Sequence, residues 1–263
     1  MAADGTAHEQ VTRHPDPSPI NCPCIDYSGI VLKRSIMSSP HPKPPGGPRT
    51  YASPLRAAQA AQTRQRILDA SGRCFAASGY VGTTLHDIAA AAGVSVESVH
   101  AHGPKPALLL AAFEQAFALR EGQDSIHDRP EIAEIGGRLG DPVEFIRFAC
   151  GFLAEAAARS ARLWVVFSQA ATADPAIKEA FDALSVRVHA DTLRLVTLVA
   201  NRGDLRSDRT HEQLADELEV LYLPTGYEKL THSAGWTLDA YRNYLFIHSC
   251  WILFPPHLHP TEP

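Results

Sequence analysis

Cysteine, methionine and unbroken apolar stretches are all scarce in this chain. The cysteines number five, an odd count, scattered at positions 22, 24, 74, 150 and 250. That spread is not a disulfide framework and fits a protein of a reducing cytoplasm. No apolar run approaches the roughly 18 residues needed to cross a bilayer, so no membrane partner is expected. The first thirty residues have no apolar segment behind a basic start, so no secretory signal is expected. Signatures of catalysis and phosphate binding are missing: there is no HExxH, Walker loop, GxGxxG or GxSxG. The thirteen histidines are dispersed without zinc-type spacing, and neither Cys22-Pro-Cys24 nor the His257/His259 pair reads as a metal site. No metal, no cofactor and no enzymatic activity are therefore expected.

What is present is ordinary globular material. The 263 residues are 45% hydrophobic and 20% charged, enough for a real core in one or two domains. The net charge of -5 is unevenly spread. Residues 49–110 hold six basic and three acidic side chains, whereas residues 111–263 hold fourteen and twenty-two. A slightly basic unit joined to an acidic body suggests that only the first meets a polyanion. Residues 1–48 carry nine of the twenty prolines without apolar periodicity, and are expected to be a disordered tail. Met1 and Met37 are the only methionines, so translation from Met37 is as plausible a reading as a genuine tail.

From Leu55 onward the periodicity is helical and no stretch reads as paired strands. Ile67, Leu68, Ala70, Ser71, Cys74 and Phe75 form one apolar face, and Gly79 stands where the helix ends. Thr83 and Thr84 are N-cap residues for a short second helix carrying Leu85, Ile88, Ala89 and Ala92. Gly93 breaks it, Ser95 caps a third, and Pro104 opens a fourth through Leu108, Leu109 and Phe117. Further helices are expected after Asp141, over 163–171, over 175–203, over 212–223, and from Thr237 to about Phe254. Two helices as short as the second and third are unstable alone and must be fixed against longer neighbours. With Gly93 allowing a sharp turn and Val94 filling the angle, they have the construction of a helix-turn-helix.

The segment from Arg64 to about Phe117 resembles the DNA-binding domain of the TetR family of transcriptional regulators. The matching residues are Arg66-Ile67-Leu68-Asp69-Ala70, Phe75, Gly79-Tyr80, Thr83-Thr84, Ile88-Ala89, Ala92-Gly93-Val94-Ser95, Val99 and Lys105-Pro106-Ala107-Leu108-Leu109. Two departures stand out. His100 occupies a position where the family usually has Tyr, and the following segment lacks a Phe and is one residue short. The third helix is therefore expected to end early. The resemblance implies an all-α fold: an N-terminal three-helix helix-turn-helix domain (55–110), linked by a fourth helix to a larger helical ligand-binding and dimerisation domain (111–254). Pro255-Pro256 stop the last helix, and a disordered tail is expected at 255–263. The resemblance also implies that Ser95 caps the reading helix while Val96, Glu97 and Ser98 approach base edges, and that Thr84, His100 and Lys105 touch phosphates. Glu97 could accept from cytosine N4 or repel phosphate.

The implied partners are a double-stranded DNA operator, a small-molecule effector and a second copy of the chain. Phe113, Phe117, Phe148, Phe152, Trp164, Phe167 and Phe181 lie on helices that would surround a cavity. Asp191 falls inside the apolar stripe of its helix, where a carboxylate needs a partner. The candidates are an arginine such as Arg147 or Arg162, a neighbouring backbone, or a cavity. Dimerisation is expected through Leu214, Leu218 and Leu221 together with Leu238, Tyr241, Leu245, His248 and Ile252. The competing reading is a helical carrier or enzyme-like protein with a vestigial DNA-binding head.

Overall fold

The structure is a computed structural model that describes residues 54–122 and 125–260. The expectations for the tail at 1–48, Met37 and Cys22/Cys24 lie outside the described residues. Among the described residues every regular element is helical.

The head begins with α1, Pro54–Gly82, which Gly79 interrupts at φ 69°. Thr83 is buried and donates to the carbonyls of Cys74 (3.0 Å) and Gly79 (2.8 Å), so it closes α1 rather than opening the next helix. Helix α2 is Leu85–Ala92, α3 is Val96–Ala101, and α4 is Lys105–Ala118. As the sequence implies, α3 is short: it stops at Ala101, and His102 and Gly103 donate back to Val99 and His100. Ile67, Leu68, Phe75, Ile88, Val99, Leu108 and Leu109 are fully buried together. This packing stabilises α2 and α3, which their own hydrogen bonds could not hold.

The body comprises α5 (Pro130–Arg138), α6 (Pro142–Ala171), α7 (Pro175–Ala200), α8 (His211–Tyr222), α9 (Pro224–Tyr227) and α10 (Leu238–Leu253). A 3₁₀ turn over Ile126–Asp128 precedes α5, and a π turn over Glu228–Ser233 follows α9. The two helices expected between 141 and 171 are one: no proline or cap interrupts the 30 residues after Asp141, whose side chain accepts from Glu144 N. Helix α5 was not foreseen, because Gly136 and Gly137 dilute its apolar pattern.

Two further expectations are corrected. The residues 255–260 are ordered, with a 3₁₀ turn at Pro256–Leu258 and Leu258 packed on the core of the body. The stripes offered for dimerisation mostly close the chain's own core: Leu214, Leu218, Tyr241 and Leu245 are buried within it. The side chains they leave outside include Val220, Leu223 and Trp251.

Head and body share a core. Leu163, Trp164 and Phe167 of α6 and Ile177 of α7 pack into the cluster that holds Ile67 and Phe75. Helix α4 runs through the expected domain boundary at 110/111 and belongs to both.

Candidate nucleic-acid interface and cavity

Local chemistry explains each turn of the head. Thr84 caps α2 through a reciprocal box: its Oγ1 accepts from Asp87 N at 3.1 Å and its own N donates to Asp87 Oδ2 at 2.8 Å. The Thr84 hydroxyl, which also donates to Asp87 Oδ2 at 2.7 Å, and the Thr84 N–H hold the Asp87 carboxyl below its usual range. Gly93 takes the left-handed conformation, φ 66°, and its N–H returns to the carbonyls of Ala89 and Ala90. Ser95 then caps α3 by accepting from Ser98 N at 3.2 Å.

This geometry turns one face of α3 outward. Ser95, Glu97 and His100 are exposed and Ser98 is half-buried beside Ser95. Val96 is half-buried against the head's core, so it presents only part of its side chain. Glu97 is held ionised below the usual carboxylate range by its own backbone N–H and by Ser95. Lys105 stands at the start of α4 with its ammonium 4.2 Å from the centre of the Tyr80 ring. Partial burial lowers its pKa, opposed by the attraction of Asp174. The sequence did not single out Arg64 for a bond. It donates to the His102 carbonyl and, through Nε at 3.0 Å, to Glu121, securing the end of α3 where the chain is short.

The far end of α4 enters the body. Its last carbonyls, which have no partner within the helix, are taken by two arginines: Arg159 donates to Ala116 O (3.0 Å) and Phe117 O (3.1 Å), and Arg129 to Ala118 O. Beside this end lies a cavity of about 760 Å³ between α4, α6, α7 and α8. Phe113, Phe117, Phe148, Phe152, Trp164 and Asp191 line it, as does Phe181. Phe167 does not: it is fully buried behind the wall, packed edge-on against Phe181 at 5.3 Å. Its side of α6 faces the head's core instead.

Asp191 is paired with neither Arg147 nor Arg162. Arg147 bonds Glu144, and Arg162 donates to the Ala76 carbonyl. The Asp191 carboxylate accepts from Ser125 Oγ at 2.5 Å and faces Ile126 N at 3.5 Å, while also lining the cavity. His127 Nε2 lies 3.0 Å from the Asp191 carbonyl, and burial pushes the imidazole below its ordinary pKa. Neither Ser125 nor His127 was foreseen, because the turn that brings them here has no periodic pattern. At the other side, Tyr222 lines the cavity and its hydroxyl is 2.8 Å from Ser249 of α10.

Among the described residues no helix is long and apolar enough to cross a membrane. Residues 67–112 match the family of bacterial regulatory proteins described as the tetR family. No curated protein matches the chain. Solved structures share its fold. NalD of Pseudomonas aeruginosa, the secondary repressor of the MexAB-OprM multidrug efflux pump, is 21% identical with a TM-score of 0.56, over 75% of this chain and 99% of its own. A TetR transcription regulator from Haloarcula marismortui is 17% identical with a TM-score of 0.53, over 73% of this chain and 99% of its own. A TetR-like transcriptional regulator from Rhodococcus sp. RHA1 is 21% identical with a TM-score of 0.50, over 72% of this chain and 94% of its own. Residues 67–112 are thus similar to the tetR family, and the described residues share the fold of these solved transcriptional regulators.

Proposed function

We propose that this protein is a homodimeric repressor that leaves an inverted-repeat operator when a small molecule fills the cavity. The observation that carries this reading is the double membership of α4. Its first turn holds Lys105 beside the reading helix, and its later turns give Phe113 and Phe117 to the cavity wall. A ligand that moves those rings moves the head, which gives two sites and one element linking them.

The wall favours a largely apolar, aromatic-stacking effector, with Asp191 and the region around His127 as its polar end. On the DNA side, Glu97 and Ser98 would read base edges, with part of Val96, while Thr84, His100 and Lys105 would meet phosphates. Two heads on one operator need a two-fold partner. The exposed edge of α10, with Trp251, is the face we assign to it.

A mobility shift with the DNA upstream of the protein's own gene tests the reading. A shift that salt weakens, and that a member of an apolar aromatic panel reverses, is the expected result. No shift at low salt would favour a carrier with a vestigial head.

A further inference from the structure

The mouth of the cavity carries a side-chain cluster that has no part in the proposed DNA contacts. His189 of α7 faces Asp216 and Glu219 of α8, which stand three residues apart on one face of that helix. The His189 Nδ1 lies 3.1 Å from Glu219 Oε2 and 3.7 Å from Asp216 Oδ1. All three donor atoms lie within 4.8 Å of one another.

We propose that His189, Asp216 and Glu219 bind a divalent transition-metal ion of the zinc class at the cavity mouth. Three observations carry this. First, the spacing fits. Zinc bonds nitrogen and oxygen at about 2.0–2.2 Å, so tetrahedral ligand atoms stand roughly 3.3–3.5 Å apart, and the two measured separations bracket that range. Second, the charge fits. An imidazole with two carboxylates is a ligand set that a dication suits, and among the described residues neither carboxylate has a lysine or arginine within ion-pair distance. Third, the site is open. The Asp216 and Glu219 side chains also line the cavity, leaving a fourth position for water or a ligand atom, as zinc sites with three protein ligands do. Imidazole among the ligands favours zinc, nickel or copper over magnesium and calcium. Bound there, the ion ties α7 to α8. The inference goes beyond the effector reading and stands whether or not the cavity takes an organic ligand.

The test is titration of the chelator-stripped full chain with Co²⁺, followed by its visible absorption, and with Zn²⁺ by calorimetry. One saturable equivalent per chain is expected at this site. His189→Ala and Glu219→Gln should each weaken it by at least about tenfold, since even outer-shell partners of a metal ligand are worth that much. Replacing Cys22 and Cys24 by serine, or His257 and His259 by alanine, should leave it intact. Circular dichroism confirms that each variant is folded, and Glu219→Gln decides if His189→Ala is not. Absence of binding to the unsubstituted chain, or equal binding by folded His189→Ala and Glu219→Gln, would show that the cluster is only a set of solvated ion pairs.

Discussion

The Tyr80 hydroxyl donates to Asp174 Oδ2 at 3.4 Å, across the junction between the head and the body. Each residue has a second duty. Tyr80 carries the Lys105 ammonium over its ring, and Asp174 Oδ1 caps α7 by accepting from Ala176 N at 2.9 Å. The start of α4 is thereby tied to the start of α7, and both helices wall the cavity.

Asp174→Ala should remove the cap and the junction at once. Loss of an aspartate cap costs about 1 kcal/mol, which for a chain of this size lowers the melting temperature by about 2–4 °C. Asp174→Asn keeps a capping oxygen and should lose less. Tyr80→Phe keeps the ring under Lys105 and should also lose less. Thermal denaturation of the three variants checks the order.

Gly93 is needed for its conformation and not for space. An added Cβ meets nothing within 4 Å, yet the residue sits at φ 66°. Gly93→Ala should therefore cost about 1–2 kcal/mol, the strain of the left-handed region alone. Urea denaturation measures it, and a neutral effect would mean that the turn between α2 and α3 adopts another geometry.

His127 predicts a pH dependence. Burial depresses its pKa from the ordinary 6.5, outweighing the attraction of Asp191. The unfolded chain then binds this proton more readily than the folded one. The stabilising contribution is complete above the unfolded value of about 6.5 and is lost as pH falls below it. Melting temperature should drop on acidification from pH 7, and His127→Phe should flatten that drop.

Substitutions in α10 separate core from interface. Leu245 is 1% exposed, so Leu245→Asp buries a carboxylate at a cost of several kcal/mol and should leave no folded protein. Trp251 is 36% exposed, so Trp251→Asp should fold and be monomeric by light scattering. A folded dimer of Trp251→Asp would move the interface elsewhere.

The head was legible because its signals are local. Thr84, Gly93 and Ser95 act on residues within five positions of themselves, and the structure places each cap where the sequence puts it. Asp191 was legible only in part. Helix phase brought it to the cavity, but its partner Ser125 lies 66 residues away in a turn with no pattern. Phe167 shows the same limit: period reveals that a ring is buried, not which of two spaces its helix face meets. His189, Asp216 and Glu219 meet only through the packing of α7 on α8, so no spacing motif announces them.

The proposed function requires that α3 read DNA from a two-fold dimer. Footprinting of the chain on the region upstream of its own gene tests it most directly, with Lys105→Ala and Glu97→Gln alongside. Protection of an inverted repeat with two equivalent halves is expected. Lys105→Ala should weaken every sequence and lower the salt slope by about 1, and Glu97→Gln should change base preference within each half. Absence of protection at low salt, or a single unsymmetrical half untouched by either substitution, would contradict it.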